Sequence, residues 1–135
     1  VFISPEELRI PQYVKDETLT PLHQTYKETT DLEAELPALD VLYMTRIQQE
    51  RFFNEEDYLR LKGCYSLNAK LLELAPPDMP VLHPLPRIDE IKLDVDNDLR
   101  AAYFDQVHNG VYIRMAIILA LLGIPDPLTG KTVLN

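Results

Sequence analysis

The chain contains one cysteine, four glycines and no tryptophan in 135 residues. A single thiol, Cys64, cannot close an internal disulfide, so packing and hydrogen bonds have to hold the fold, and a reducing, cytoplasmic setting is expected. Cys64 belongs to no C-x-x-C pair and reads as an ordinary, partly buried thiol. Basic residues are scarce: 13 Lys and Arg stand against 22 Asp and Glu, a formal net charge of −9. That balance argues against nucleic acid or an anionic membrane as main partner, because both reward clustered positive charge. A small anionic ligand stays open, since a few placed Arg residues override the global charge at short range. Long apolar runs are lacking too. Met115 to Ile124 is the longest, far short of the ~20 residues a bilayer helix needs. There is no G-x-G-x-x-G and no Walker loop, which leaves a nucleotide site without support. His23, His83 and His108 have no metal-ligand spacing. Asp94-x-Asp96-x-Asp98 opens like a calcium loop, but Leu99 and Asp105 stand where Gly and Glu are needed. No metal and no cofactor are expected, and the acidic cluster reads as a cap on the helix that follows.

What is present is a chain of 46% hydrophobic and 26% charged residues, the composition of one globular domain. Val1-Phe2-Ile3 reads as the end of a buried strand, entered without an initiator Met or a basic leader, as in a piece of a longer polypeptide. Ser4-Pro5-Glu6-Glu7 has the form of a capped helix start. A short strand is expected within Leu19 to His23, and a short helix from Asp31 to Leu36 stopped by Pro37. Asp40 to Thr45 is the clearest buried strand, a continuous apolar run behind an acidic residue. Phe52 to Lys62 is helical in part, anchored by Tyr58, Leu59 and Leu61. A short strand at Tyr65 to Leu67, a helical turn at Ala69 to Leu74 and a strand in Met79 to Pro86 follow. Asp98 to Leu122 is helical, with Ala102, Met115, Ile118, Leu119 and Leu122 as apolar contacts. Asn109-Gly110 leaves open whether this is one helix or two. Residues 124–135 form a tail.

Short apolar strands alternating with helices predict a parallel α/β sheet with crossovers, Rossmann-like. Such sheets bind ligands at the carboxyl ends of their strands, which points to the residues after Thr45 and Leu82. After the first comes Arg46-Ile47-Gln48-Gln49-Glu50-Arg51. An Arg at a strand end offers a planar two-pronged donor to a carboxylate, Glu50 can steady it, and Gln48 adds an amide. Taken alone, the stretch also reads as a solvated loop with surface ion pairs. After the second strand comes His83-Pro84-Leu85-Pro86-Arg87, where two prolines fix the backbone and leave carbonyls aimed in set directions. Its bland counterpart is a rigid connector.

Three stretches together resemble the aspartate carbamoyltransferase family: Leu42-Tyr43-Met44-Thr45-Arg46-Ile47-Gln48, His83-Pro84-Leu85-Pro86-Arg87-Ile88-Asp89-Glu90-Ile91, and Arg100-Ala101-Ala102-Tyr103-Phe104 leading into Asn109-Gly110-Val111-Tyr112-Ile113-Arg114-Met115-Ala116. The sister family acting on ornithine carries Cys where this chain has Pro84. The resemblance covers residues 1–123 and implies most of a C-terminal L-aspartate-binding domain, an incomplete α/β layer ending in a helix that packs back on an absent carbamoyl-phosphate domain. It implies that Arg46, Gln48 and Leu85 bind L-aspartate. Pro84, Leu85 and Pro86, with a cis Leu85–Pro86 peptide, would contact carbamoyl phosphate. Glu50 and Arg51 would orient and close the loop, and Tyr58 would latch near Asp89. The implied reaction joins the aspartate amine to the carbamoyl carbon and expels phosphate, an early step of pyrimidine synthesis, in a homotrimer with shared sites. Gln49 departs from the Lys common in the family. The phosphate loop, the His and Arg groups that polarise the carbamoyl, and a lysine lent by a neighbour are not in these 135 residues, so the catalytic residues are expected in the N-terminal half of the subunit. The alternative is a non-catalytic carboxylate-binding or interaction half-domain on the same fold.

Overall fold

A computed structural model describes residues 1–49, 52–126 and 128–132. Its strands are short and all parallel, in two separate pairs. β1 (Phe2–Ile3) lies beside β2 (Glu28–Thr29), with Phe2 opposite Glu28. β3 (Leu42–Tyr43) lies beside β4 (Val81–Leu82), with Leu42 opposite Val81. The expected parallel α/β arrangement is therefore present, divided into two small sheets. Between them, Val1 with the β1 residues Phe2 and Ile3, and the Val41 to Thr45 stretch, face one cavity of about 470 Å³.

The helices are α1 (Gln12–Val14, continued by a π turn over Lys15–Leu19), α2 (Leu32–Glu35), α3 (Glu55–Leu61), α4 (Ala69–Leu72) and α5 (Tyr103–Leu121). Asx caps begin three of them. Asp31, Asn54 and Asn68 accept from the backbone N–H three residues on, at 3.0, 2.8 and 2.8 Å, which satisfies donors the first turn leaves orphaned. Pro37 does not end the second helix outright; the chain tightens into a 3-10 turn over Leu36–Ala38. The core lies around β3 and β4. Leu36, Leu67, Leu72, Val81, Val95 and Tyr103 are fully buried there, with Leu42, Met44 and Ile91 beside them.

Several expectations are corrected. Ser4 caps nothing: Pro5 precedes a single 3-10 turn, Glu6–Leu8, without a side-chain cap. The strand expected within Leu19 to His23 is helical turn, and the strand forms later, at Glu28–Thr29, where Lys15 Nζ reaches Glu28 Oε2 at 2.5 Å. Val1-Phe2-Ile3 is a strand but not a buried one, since Phe2 is exposed. Leu42 and Met44 are buried while Val41 and Tyr43 are exposed, so the apolar run that predicts a two-sided strand is covered on one face here. Tyr65 to Leu67 pairs only as a single bridge, Leu67 with Ile91. Leu59 is exposed, as is Cys64.

The acidic cluster does not cap α5, whose first turn has no side-chain cap. Its carboxylates go elsewhere. Asp94 accepts from Ala69 N–H at the start of α4, Asp96 pairs with Arg87, and Asp98 pairs with Arg100. Arg100 also donates to the carbonyls of Leu72, Ala75 and Pro76, closing the end of α4. Among the described residues no group of His, Cys, Asp or Glu is arranged to hold a metal. α5 runs unbroken through Asn109-Gly110, so one helix forms where two were possible. Its apolar residues do not join the core: Met115, Ile118 and Leu122 are exposed, and Tyr103 alone of this helix is buried. No described helix is long and apolar enough to cross a membrane.

Candidate functional site

Two strand ends make the site. β3 and β4 run in register, so the segments leaving them start side by side. α5 fixes both: Gln106 accepts from His83 N–H at 2.8 Å and donates to Tyr43 Oη at 3.3 Å. Thr45, Arg46 and Gln48 from the first segment and His83, Pro84, Leu85 and Pro86 from the second then line one cavity of about 420 Å³. All five residues expected to touch ligand are thereby in one place. Arg46 and Gln48 are half-buried, as is Leu85, while Pro84 and Pro86 are exposed.

The turn has a fixed, unusual backbone. The Leu85–Pro86 peptide is cis and Leu85 has φ +46°, a left-handed conformation that costs a bulky residue on the order of 1 kcal/mol or more. Side chains behind the turn hold it. His83 Nδ1 accepts from Leu85 N–H at 2.8 Å, and His83 Nε2 meets Glu90 Oε1 at 2.7 Å; both side chains are buried. Arg87 points away from the cavity. It forms a two-pronged pair with Asp96, donates to Tyr103 Oη at 3.1 Å and stacks on that ring at 5.5 Å. The Asp96 carboxylate and the Tyr103 hydroxyl raise the Arg87 pKa despite its partial burial.

Beside this cavity is a much smaller one, about 30 Å³, lined by Arg46, Tyr58, Gly63, Asp89 and Glu90 among others. Tyr58 is buried on α3 and its ring lies 5.9 Å from Phe52. Tyr58 and Asp89 both line this cavity, and the hydrogen bonds among described residues include none between them. Ser66 Oγ donates to the Asp89 carbonyl at 2.8 Å and fixes that segment. Gly63, at φ +72°, has Asp89 Oδ2 3.4 Å from where a Cβ would stand, so the chain turns tightly here. Glu50 and Arg51, expected to orient Arg46 and close the loop, lie outside the described residues.

Sequence reasoning missed His83 and Glu90 as supports of the turn. Two potentially charged residues seven apart on either side of a proline turn were the available signal, but no periodicity connects them. It also missed Gln106, whose role depends on a helix packing over two strand ends.

Parallel strands whose carboxyl ends present an Arg and a rigid proline turn to one cavity define an α/β ligand-binding domain. A family model, Aspartate/ornithine carbamoyltransferase, Asp/Orn binding domain, matches residues 1–121. The chain belongs to that family. Among curated relatives, the aspartate carbamoyltransferase catalytic subunit of Lachnoclostridium phytofermentans is 57% identical over 124 residues, covering 92% of this chain and 40% of that protein. The catalytic subunit of Bifidobacterium longum subsp. infantis is 54% identical over all 135 residues, covering 42% of its own length. The chain therefore spans about two fifths of the length of these relatives. Among solved structures, the catalytic subunit of M. jannaschii aspartate transcarbamoylase superposes with a TM-score of 0.75 at 38% identity, over 90% of this chain and 39% of that one. The enzyme of Trypanosoma cruzi, solved with carbamoyl phosphate and aspartate, gives 0.76 at 35% identity, over 87% and 39%.

Proposed function

We propose that the chain supplies the aspartate-binding side of an aspartate carbamoyltransferase, and that residues 1–123 are most of that domain while 124–135 form its tail. The observation that carries this is the single cavity where Arg46 and Gln48 meet the Pro84–Pro86 turn. The Arg46 guanidinium offers two parallel donors to one aspartate carboxylate, and Gln48 adds an amide at its side. Carbonyls of Pro84 and Leu85 accept from the carbamoyl NH2 of carbamoyl phosphate, and a fixed turn holds them there without reorganisation. The aspartate nitrogen forms a bond to the carbamoyl carbon, the bond from that carbon to the phosphate oxygen breaks, and the proton the amine loses ends on the departing phosphate. The products are N-carbamoyl-L-aspartate and phosphate, a step of pyrimidine biosynthesis in the cytoplasm. Stabilisation of charge on the carbamoyl oxygen and the leaving phosphate falls to groups outside these 135 residues, so the chain alone is inactive and works within a trimeric subunit assembly. Glu50 and Arg51 steady Arg46 and the closing loop, with Tyr58 and Asp89 as the latch.

The test is reconstitution with the complementary N-terminal part of the subunit, assayed for carbamoyl-aspartate. Arg46→Ala is expected to lower kcat/KM for aspartate about 100-fold or more, from two charge-assisted hydrogen bonds lost. Undiminished activity in that variant removes the reading. If reconstitution yields no product but the chain alone binds aspartate through Arg46, the non-catalytic carboxylate-binding alternative holds instead.

A further inference from the structure

His83 is 1% exposed, and both its ring nitrogens are engaged. A backbone amide only donates, so the Leu85 N–H, 2.8 Å from Nδ1, requires Nδ1 to be unprotonated. A neutral imidazole then carries its proton on Nε2, where it donates to Glu90 Oε1 at 2.7 Å. The other Glu90 oxygen accepts from the N–H groups of Ile88 and Asp89, at 3.1 and 3.0 Å. Burial opposes charge on Glu90, but the backbone N–H groups of residues 88 to 90 and the His83 ring outweigh it and hold the carboxyl below its ordinary pKa. One line of hydrogen bonds thus runs from the Ile88–Asp89 backbone through two buried side chains to the amide of Leu85.

We propose that His83 and Glu90 are positioning residues acting as a tautomer lock: the Glu90 carboxylate keeps the imidazole proton on Nε2, so Nδ1 remains the acceptor that fixes Leu85 and its neighbouring carbonyls toward the cavity. An imidazolium, or the Nδ1–H tautomer, would set two donors against each other at Leu85. The lock acts through residue 85 and not on ligand. Its consequence for aspartate and carbamoyl phosphate rests on the proposed function, but the lock itself is measurable without ligand.

The test is the imidazole nitrogen NMR of His83 in the 15N-labelled chain at neutral pH. The expected signature is the neutral Nε2–H tautomer; Nδ1–H or imidazolium overturns the proposal. Glu90→Gln sharpens it. Two backbone N–H groups claim the amide oxygen of that side chain, which turns its NH2 toward His83 Nε2 and makes Nε2 an acceptor. The proton is then expected on Nδ1, and amide exchange at Leu85 is expected to quicken about tenfold. An unmoved tautomer with unchanged Leu85 exchange overturns the lock. Should that variant fail to fold, the wild-type spectrum alone decides. A locked tautomer together with undiminished activity of the reconstituted Arg46→Ala variant leaves the lock standing and removes the function.

Discussion

Leu67, Leu72, Val81 and Val95, in the middle of the chain, are 0% exposed, whereas Ile113, Ile117, Ile118 and Leu121 on α5 are 51–76% exposed. Both sets are aliphatic, so apolar content does not separate them. What does is whether a second surface reaches them. In the middle, β3, β4, α4 and the 3-10 turn at Leu93–Asn97 close on one another and are tied by Arg87, Asp96, Asp98 and Arg100. Among the described residues α5 is tied to the strand ends near its start, by the Gln106 hydrogen bonds and the buried Tyr103, and its later turns present an apolar face outward. The β1 strand repeats the pattern, with Phe2 exposed beside the cavity that separates it from β3. The middle is a finished core carrying the candidate site. The arms leave apolar surface open to solvent among the described residues.

The largest break in that contrast is Leu67→Ala. A fully buried Leu loses transfer energy and leaves a cavity, so unfolding free energy in urea is expected to fall by about 2–5 kcal/mol. A loss below about 1 kcal/mol would show that the middle is not the closed core described.

Next in size is Arg87→Lys. An ammonium keeps the charge but not the two-pronged geometry against Asp96, nor the flat stack on Tyr103. Both partners are mostly shielded, 13% and 25% exposed. About 1–2 kcal/mol of destabilisation is expected in the same urea titration, well above the few tenths typical of a surface pair.

How far the sequence disclosed this division follows from which signals are local. Strand ends followed by Arg46 and by the His83–Pro86 turn were legible, because burial of the strands and the φ restriction of proline act within a few residues. The Asn54 and Asn68 caps were equally local and were passed over. Where the acidic residues would go was not legible: Asp96 chooses Arg87, nine positions back, only once the chain has folded. Exposure of Val41 ran against its sequence, which is that of a strand covered on both faces, while the apolar stripe of α5 carries no local sign of whether this chain's own core meets it.

Acid and base should strip the ties of the middle in separate windows. The Arg100 guanidinium bonded to Asp98 lowers that carboxyl to about 2, from an ordinary 3.8. A lowered carboxylate adds stability that is complete above its unfolded pKa, so this part is lost as pH falls from 3.8 toward about 2. Burial, with the Asp96 hydrogen bond, raises Tyr103 from 10.0 to about 12. A raised group works the other way: its part is complete below 10 and disappears as pH climbs toward 12. Urea midpoints should therefore fall as pH drops through the acid window and as it climbs through the alkaline one, and Asp98→Asn should flatten the acid limb. An acid limb unaltered by that change would assign it to other carboxylates.

The smallest expected effect bears on the arms. Ile118 is 56% exposed on α5, so Ile118→Ser removes little buried area within this chain, and stability should stay within about 0.5 kcal/mol of the parent. The same change strikes at the centre of the face that the proposed architecture turns toward the carbamoyl-phosphate domain. Association with the complementary part of the subunit, followed by sedimentation, should weaken about fivefold or more, because a desolvated aliphatic anchor in an interface is worth about 1 kcal/mol or more. If instead the variant loses stability by itself and docks unchanged, the helix is packed within this chain in solution, and the distinction between a finished middle and waiting arms fails at α5.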